Sequence, residues 1–249
     1  MTVQAARVEP TLLGFESQPR HRIPLSFADH IALVSELVHQ VSSQNEPSLL
    51  IVTGFSASGD LVLKLPASMP EGARPIDGIL SVGPNQGIET CFVSSVMAQL
   101  DSNDPTRLLA AFRTITAVAS NLDDWMLLNG YVGRIMARFR DNVAPLRSLG
   151  RDIVEPFERL GSSAFADMYR EATSRVRMVR CVFEDSEICN QLLKQVLLEH
   201  MDRGVLGDRH RDGALLIEST PSHFELLQPE RMARHLHAMV EELQTGRAS

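Results

Sequence analysis

The sequence predicts an α/β fold: a mostly parallel sheet with flanking helices and a helical insertion. Three observations predict it. The run Leu49 to Val52 has the length and β-branched content of a strand buried on both faces, and Ile76 to Val82 and Met178 to Phe183 are further short runs of strand character. Stretches of helical periodicity separate such runs, which within one sheet implies parallel, right-handed crossovers. Between about residues 90 and 176 the strand-like runs stop and long helical patterns take over.

Taken in order, Thr11 to Glu16 reads as a strand. Ser26 reads as the N-cap of a helix through about Val41, with Phe27, Ile31, Val34, Leu37 and Val41 on one stripe. Pro47 precedes the strand at Leu49, which runs into the turn Gly54-Phe-Ser-Ala-Ser-Gly59. A helix from about Ser58 to Ala67 stops near Pro70, and the strand Ile76 to Val82 closes on Gly83-Pro84. The helical stretch that follows is broken near Asp104-Pro105, Asn121, Pro145 and Gly161. Its apolar residues, including Phe92, Val96, Met97, Leu100, Trp125, Met126, Leu127, Tyr131, Ile135, Met136 and Phe139, are expected to form an inner face that chiefly packs as helical core. The strand Met178 to Phe183 then leads through the acidic turn Glu184-Asp-Ser-Glu187 into a helix to about Met201. Asp208 to Asp212 is a polar loop and Gly213 to Ile217 a last short strand. The segment Pro221-Ser-His223 follows it, and a closing helix spans about Pro229 to Leu243. The expected organisation is therefore an N-terminal part of the α/β core over 1–89, a helical insertion over 90–176 and the rest of the core over 177–249.

Composition narrows the function. The chain has 249 residues, 44% of them hydrophobic, enough to bury a sizeable core. A net charge of -7 without a basic stripe argues against a nucleic-acid partner, since phosphate binding needs clustered Lys and Arg. No apolar run has the length of a membrane span and no signal-peptide pattern opens the chain, so a cytoplasmic location is expected. Cys91, Cys181 and Cys189 show no metal-ligand spacing, and their odd number fits a reducing compartment better than a disulfide framework. Neither a metal nor another cofactor is implied.

Three polar features fall at the C-terminal ends of strands: Ser56 in the tight turn, the Asp185/Glu187 turn, and His223. In an open parallel sheet those ends converge on one edge, where ligands bind. Taken singly, Ser56 reads equally well as a helix N-cap and Glu187 as a first-turn acid complementing the helix dipole. Together, in the order serine, acid, histidine, they select a nucleophile, its base and the carboxylate that orients the base.

That order, with Leu50-Ile-Val-Thr-Gly-Phe-Ser-Ala-Ser-Gly59 as a strand-to-helix elbow, resembles the α/β-hydrolase superfamily over nearly the whole chain from about residue 10. Val179 to Glu187 resembles the strand carrying the acid, and His223 to Glu230 the histidine loop leading into the last helix. The helical insertion occupies the place of a cap. The resemblance implies an esterase or thioesterase acting on an apolar small-molecule acyl substrate. It implies Ser56 as nucleophile, His223 as base and Glu187 as acid, with Asp185 as the alternative acid. The Ala57 amide is implied as one oxyanion donor, and Phe55, Trp125 and Tyr131 as substrate-binding residues. Two features depart from the family pattern. Ser58 stands where the family has Gly, so a looser elbow is expected, and the family's first strands have no counterpart ahead of Thr11. The abbreviated sheet would expose an edge for a second copy or a partner chain to cover.

Two other functions fit the same residues. One is a catalytically impaired α/β-hydrolase-like binding or scaffolding protein. The other starts from Gln86-Gly-Ile-Glu-Thr-Cys91, where a thiol opening a helix resembles a papain-like cysteine protease with His223 as partner.

Overall fold

A computed structural model gives the structure of the protein and describes residues 25–45, 47–101, 103–139, 143–201, 214–220 and 222–245. The strand expected at Thr11 to Glu16 and the loop Asp208 to Asp212 lie outside the described residues. Among the described residues, four parallel strands form the sheet: β1 (Ile51–Phe55), β2 (Gly78–Val82), β3 (Met178–Glu184) and β4 (Leu215–Glu218), in that spatial order. The helices are α1 (Phe27–Asn45), α2 (Ala57–Ser68), α3 (Phe92–Ala98), α4 (Pro105–Thr116), α5 (Leu122–Phe139), α6 (Ala144–Leu160), α7 (Ser163–Arg175), α8 (Glu187–Met201) and α9 (Pro229–Gln244).

Local sequence accounts for where the helices begin. Ser26 opens α1 through a reciprocal pair: its Oγ accepts from the Asp29 N–H at 3.0 Å, and its own N–H donates to the Asp29 carboxylate at 2.8 Å. Asp104 accepts from the Arg107 N–H at 3.1 Å at the start of α4, with Pro105 next in line.

Strand alternation divides the core. Val179, Cys181 and Phe183 of β3 face a cluster built with α1, α2, α6, α7 and α8, while Met178 and Val182 join Leu80, Val82, Met239 and Leu243 under α9. Helices therefore cover both faces, as a parallel sheet requires. A third cluster lies within the helical stretch: Met97, Leu100, Leu108, Phe112, Ile115, Leu128, Val132, Ile135 and Leu146. Helix α6 joins the two cores, with Leu146 in the third cluster and Leu149, Ile153 and Phe157 in the sheet cluster. The inner stripe of α5 runs through Asp124, Leu128, Val132 and Ile135, so Trp125, Met126 and Leu127, read from sequence as inward, are exposed on its other side.

Among the described residues, no helix is long and apolar enough to cross a membrane, and no group of three His, Cys, Asp or Glu side chains could hold a metal ion.

Candidate active site

The site forms at the C-terminal edge of the sheet. Ser56 links β1 directly to α2 with φ 55° and ψ -128°, and it is the only non-glycine residue with positive φ among the described residues. A side chain in that region crowds its own backbone, so the conformation is strained. The strained residue is held by its neighbours: the Ser56 N–H donates to the Val82 carbonyl on β2 at 2.8 Å, and the Ser56 carbonyl accepts from the Gly59 N–H at 2.7 Å. Its hydroxyl makes no cap hydrogen bond, contrary to the N-cap reading. Ala57 takes the first helical position, where an N–H has no intrahelical acceptor.

Gly54 explains how the elbow closes. A Cβ there would collide with the carbonyl of Ser58 on the incoming helix, so only glycine allows the approach. Ser58 itself is exposed. The crowded position thus lies two residues before Ser56 rather than two after it, and Ser58 does not loosen the turn.

His223 lies in the loop between β4 and α9. Its ring packs on Phe55 at 4.7 Å between centroids and is edge-on to Phe224 at 5.6 Å. It also rests on the backbone of Gly83, which follows β2 with φ 55°; a Cβ there would collide with Cε1 of the ring. Ser56, bonded to Val82, and His223, seated between Phe55 and Gly83, therefore share the ends of the same two strands.

The carboxylate that meets His223 is Glu184, with its Oε2 3.1 Å from the ring Nδ1. This corrects the acid read from the sequence. Glu187 and Asp185 are both exposed and hydrogen-bonded locally, Glu187 to Gln191 at 3.1 Å and Asp185 to Asn190 at 2.8 Å. The reason is that β3 continues one residue past Phe183, pairing Glu184 with Glu218 of β4, so the carboxylate belongs to the strand end rather than to the turn after it. The other oxygen of Glu184 accepts from the Cys189 thiol at 3.1 Å. Burial by itself would raise the pKa of Glu184. The hydrogen bond and charge of His223 and the Cys189 thiol outweigh burial, and the carboxyl is held below its usual range. An ionised carboxylate can only accept at this distance, so the contact suits an Nδ1–H, and in the neutral ring that tautomer leaves Nε2 as an acceptor.

The remaining candidates lie elsewhere. No hydrogen bond or ring contact joins Trp125 or Tyr131 to His223. Trp125 is half exposed on α5, whereas Tyr131 packs against the third cluster and burial pushes its phenol up to about 12. Cys91 is buried in the sheet cluster. Burial, and then the acids Asp60, Glu89 and Glu158, push its thiol well above the usual range, the opposite of what a nucleophilic thiolate needs.

One titratable group near the elbow escaped the sequence reading. Asp60, in the first turn of α2, is 2% exposed and accepts from the Asn85 N–H at 2.9 Å and the Asn85 side-chain amide at 2.6 Å. Burial outweighs these bonds and raises its carboxyl to about 7. It fastens the loop after β2, which runs beneath His223, to the helix that starts at Ser56.

No family profile matches the chain, and no curated protein matches it in sequence. Among solved structures, it is similar to one described as a "putative aryl esterase from Burkholderia cenocepacia", with TM-score 0.55 and 13% identity over 94% of this chain and 79% of that one. It is also similar to proline iminopeptidase of Mycobacterium smegmatis, with TM-score 0.46 and 13% identity over 87% of this chain and 73% of that one. The likeness to the first shows a shared fold, the helix-flanked parallel sheet of α/β-hydrolase structures.

Proposed function

We propose that the protein is a serine hydrolase of the α/β-hydrolase superfamily that cleaves an ester or thioester of an apolar small molecule. The observation that carries this reading is the strained Ser56 between β1 and α2, on the same strand ends as the His223–Glu184 pair. An unactivated hydroxyl is a poor nucleophile, and Nε2 of His223 supplies the base that takes its proton. Glu184 fixes the ring's tautomer and stabilises its cation as the proton arrives. The Ala57 N–H, at the positive end of α2, then donates to the oxyanion of the tetrahedral intermediate. Protonated His223 returns its proton to the leaving alkoxide or thiolate, and a water repeats the sequence on the acyl-enzyme. Phe55 and Phe224 give the acyl or aryl group an apolar wall beside the base. The helices that share the third cluster act as the cap.

A fluorophosphonate probe tests this at the serine itself. Labelling is expected in the wild type and is expected to vanish in Ser56→Ala and His223→Ala. Glu184→Gln is expected to slow it by about 10² to 10⁴, because the ring loses its tautomer, while Asp185→Ala and Glu187→Ala label at the wild-type rate. A folded wild type that never labels would leave the impaired binding protein as the better reading.

A further inference from the structure

The loop that carries His223 is held on two sides, and only one of them is the sheet. On the sheet side the Asp185 N–H donates to the Thr220 carbonyl at 2.8 Å, and Glu184 meets the histidine ring. On the other side Ser222, 1% exposed, donates its hydroxyl to the Asp124 carboxylate of α5 at 2.8 Å. Phe224, one residue past the histidine, packs on the hydrophobic cluster of the helical stretch. The neighbours of His223 on both sides therefore contact the cap, while its ring contacts the core.

Asp124 is unusual for a first-turn acid. Such residues ordinarily complement the helix dipole from solvent, but this one is 4% exposed. Asn121 already accepts from the Asp124 N–H at 2.9 Å and so opens the helix. The Asp124 carboxylate also accepts the Ser120 N–H at 3.2 Å, which fastens the chain entering α5. The bond to Ser222 does nothing for α5 itself. It joins residues 98 apart in the sequence and ends one residue from the proposed base.

We propose that Asp124 is a positioning residue for His223, acting through Ser222, so that the cap holds the base of the catalytic group in register with Ser56. Its catalytic meaning rests on the hydrolase reading above. A buried carboxylate with a buried hydroxyl aimed at it gives the loop one preferred seat, because moving away would leave the Ser222 O–H an unpaired donor in the interior, which is costly. Proton transfer from Ser56 then needs no search by the loop. Displacement of a reacting group by about 1 Å costs on the order of 10² in rate.

The test uses the full chain as Asp124→Ala, Ser222→Ala, the double variant and Asp124→Asn. It measures the fluorophosphonate labelling rate from pH 5 to 9 and the low-field proton resonance of the His223 Nδ1–H. Each alanine variant is expected to slow labelling about 10- to 100-fold and to weaken or broaden that resonance. The double variant is expected to be no slower than the worse single one, as for two ends of one interaction. Asp124→Asn, which keeps an acceptor for Ser222, is expected to recover most of the rate and the resonance. Where Asp124→Ala does not fold, Ser222→Ala, which removes only a hydroxyl, decides. Wild-type labelling and an unchanged resonance in Ser222→Ala would overturn the proposal, as would losses that simply multiply in the double variant. If the wild type itself never labels, the hydrolase reading fails, and the resonance alone decides whether Asp124 positions His223.

Discussion

Replacing Ser56 by Gly is expected to leave the protein more stable than replacing it by Ala. Both substitutions remove the hydroxyl, which makes no cap hydrogen bond, so the pair isolates the Cβ. At φ 55° and ψ -128° that Cβ sits in backbone territory that only glycine enters freely. Holding a non-glycine residue in such a region costs about 1–3 kcal/mol, and the larger chain entropy of an unfolded glycine returns roughly 0.5–1 kcal/mol of that. From the middle of both ranges the net advantage of Gly over Ala is about 1 kcal/mol, or roughly 2–4 °C in Tm for a chain of this size. Urea and thermal unfolding of the two variants at pH 7 measure it, with probe labelling absent from both. Equal stability, or a more stable Ala variant, would show that the Cβ at position 56 is not under strain, and the elbow would lose its main support as a nucleophile turn.

Two further substitutions address what surrounds the elbow. Gly83→Ala places a Cβ against the His223 ring at a backbone φ of 55°, so stability is expected to fall by about 1–3 kcal/mol, with a slower labelling rate because the ring must leave its seat. A melt and a labelling time course check both. Asp60→Asn is expected to change the pH dependence of stability. The folded carboxyl holds its proton up to about pH 7, whereas the unfolded one loses it near 3.8, so between those values the native state binds more protons and stability falls as pH rises. By pH 8 the wild type has lost on the order of 4 kcal/mol from this group, at about 1.4 kcal/mol per pKa unit. The Asn variant lacks that loss. Urea titrations at pH 5 and pH 8 that show the same slope for both proteins would contradict the burial of an acid at this position.

The elbow and the strand order were legible in the sequence because they depend on local chemistry. Short, mostly apolar runs, glycines and a polar turn marked β1, β2, β3 and the turn at Ser56, and Ser26 marked the start of α1. The acid was misread for a tertiary reason. Phe183 looks like the end of a strand when the only signal is the last apolar residue, yet pairing with β4 carries β3 on to Glu184. A side chain that closes a strand can be charged when something across the sheet edge needs it, and here that partner is a histidine 39 residues further on. The face of α5 was misread for a related reason. Trp125, Met126 and Leu127 belong to the most hydrophobic run in its first turns, yet they are exposed, and the first turn is buried at Asp124, whose partner Ser222 no local pattern reveals.

The strain at Ser56 can persist only if the contacts around it leave the chain no alternative, and the structure supplies such a set. The Ser56 N–H is committed to Val82, the next residue Gly83 lies under His223, and Asn85, two residues on, is tied to Asp60 one turn above Ser56. Gly54 brings the Ser58 carbonyl so close that α2 cannot shift without breaking this packing. The ring that would activate Ser56 thus rests on the same short loop that holds Ser56 in its strained turn. Loosening that loop would release the strain and unseat the base together. A scaffold that had lost catalysis would gain stability by relaxing either one. A strained serine, a glycine under the histidine and a paired acid in one contiguous set of contacts are what the proposed hydrolase requires, and a protein that only bound its ligand would need none of the strain.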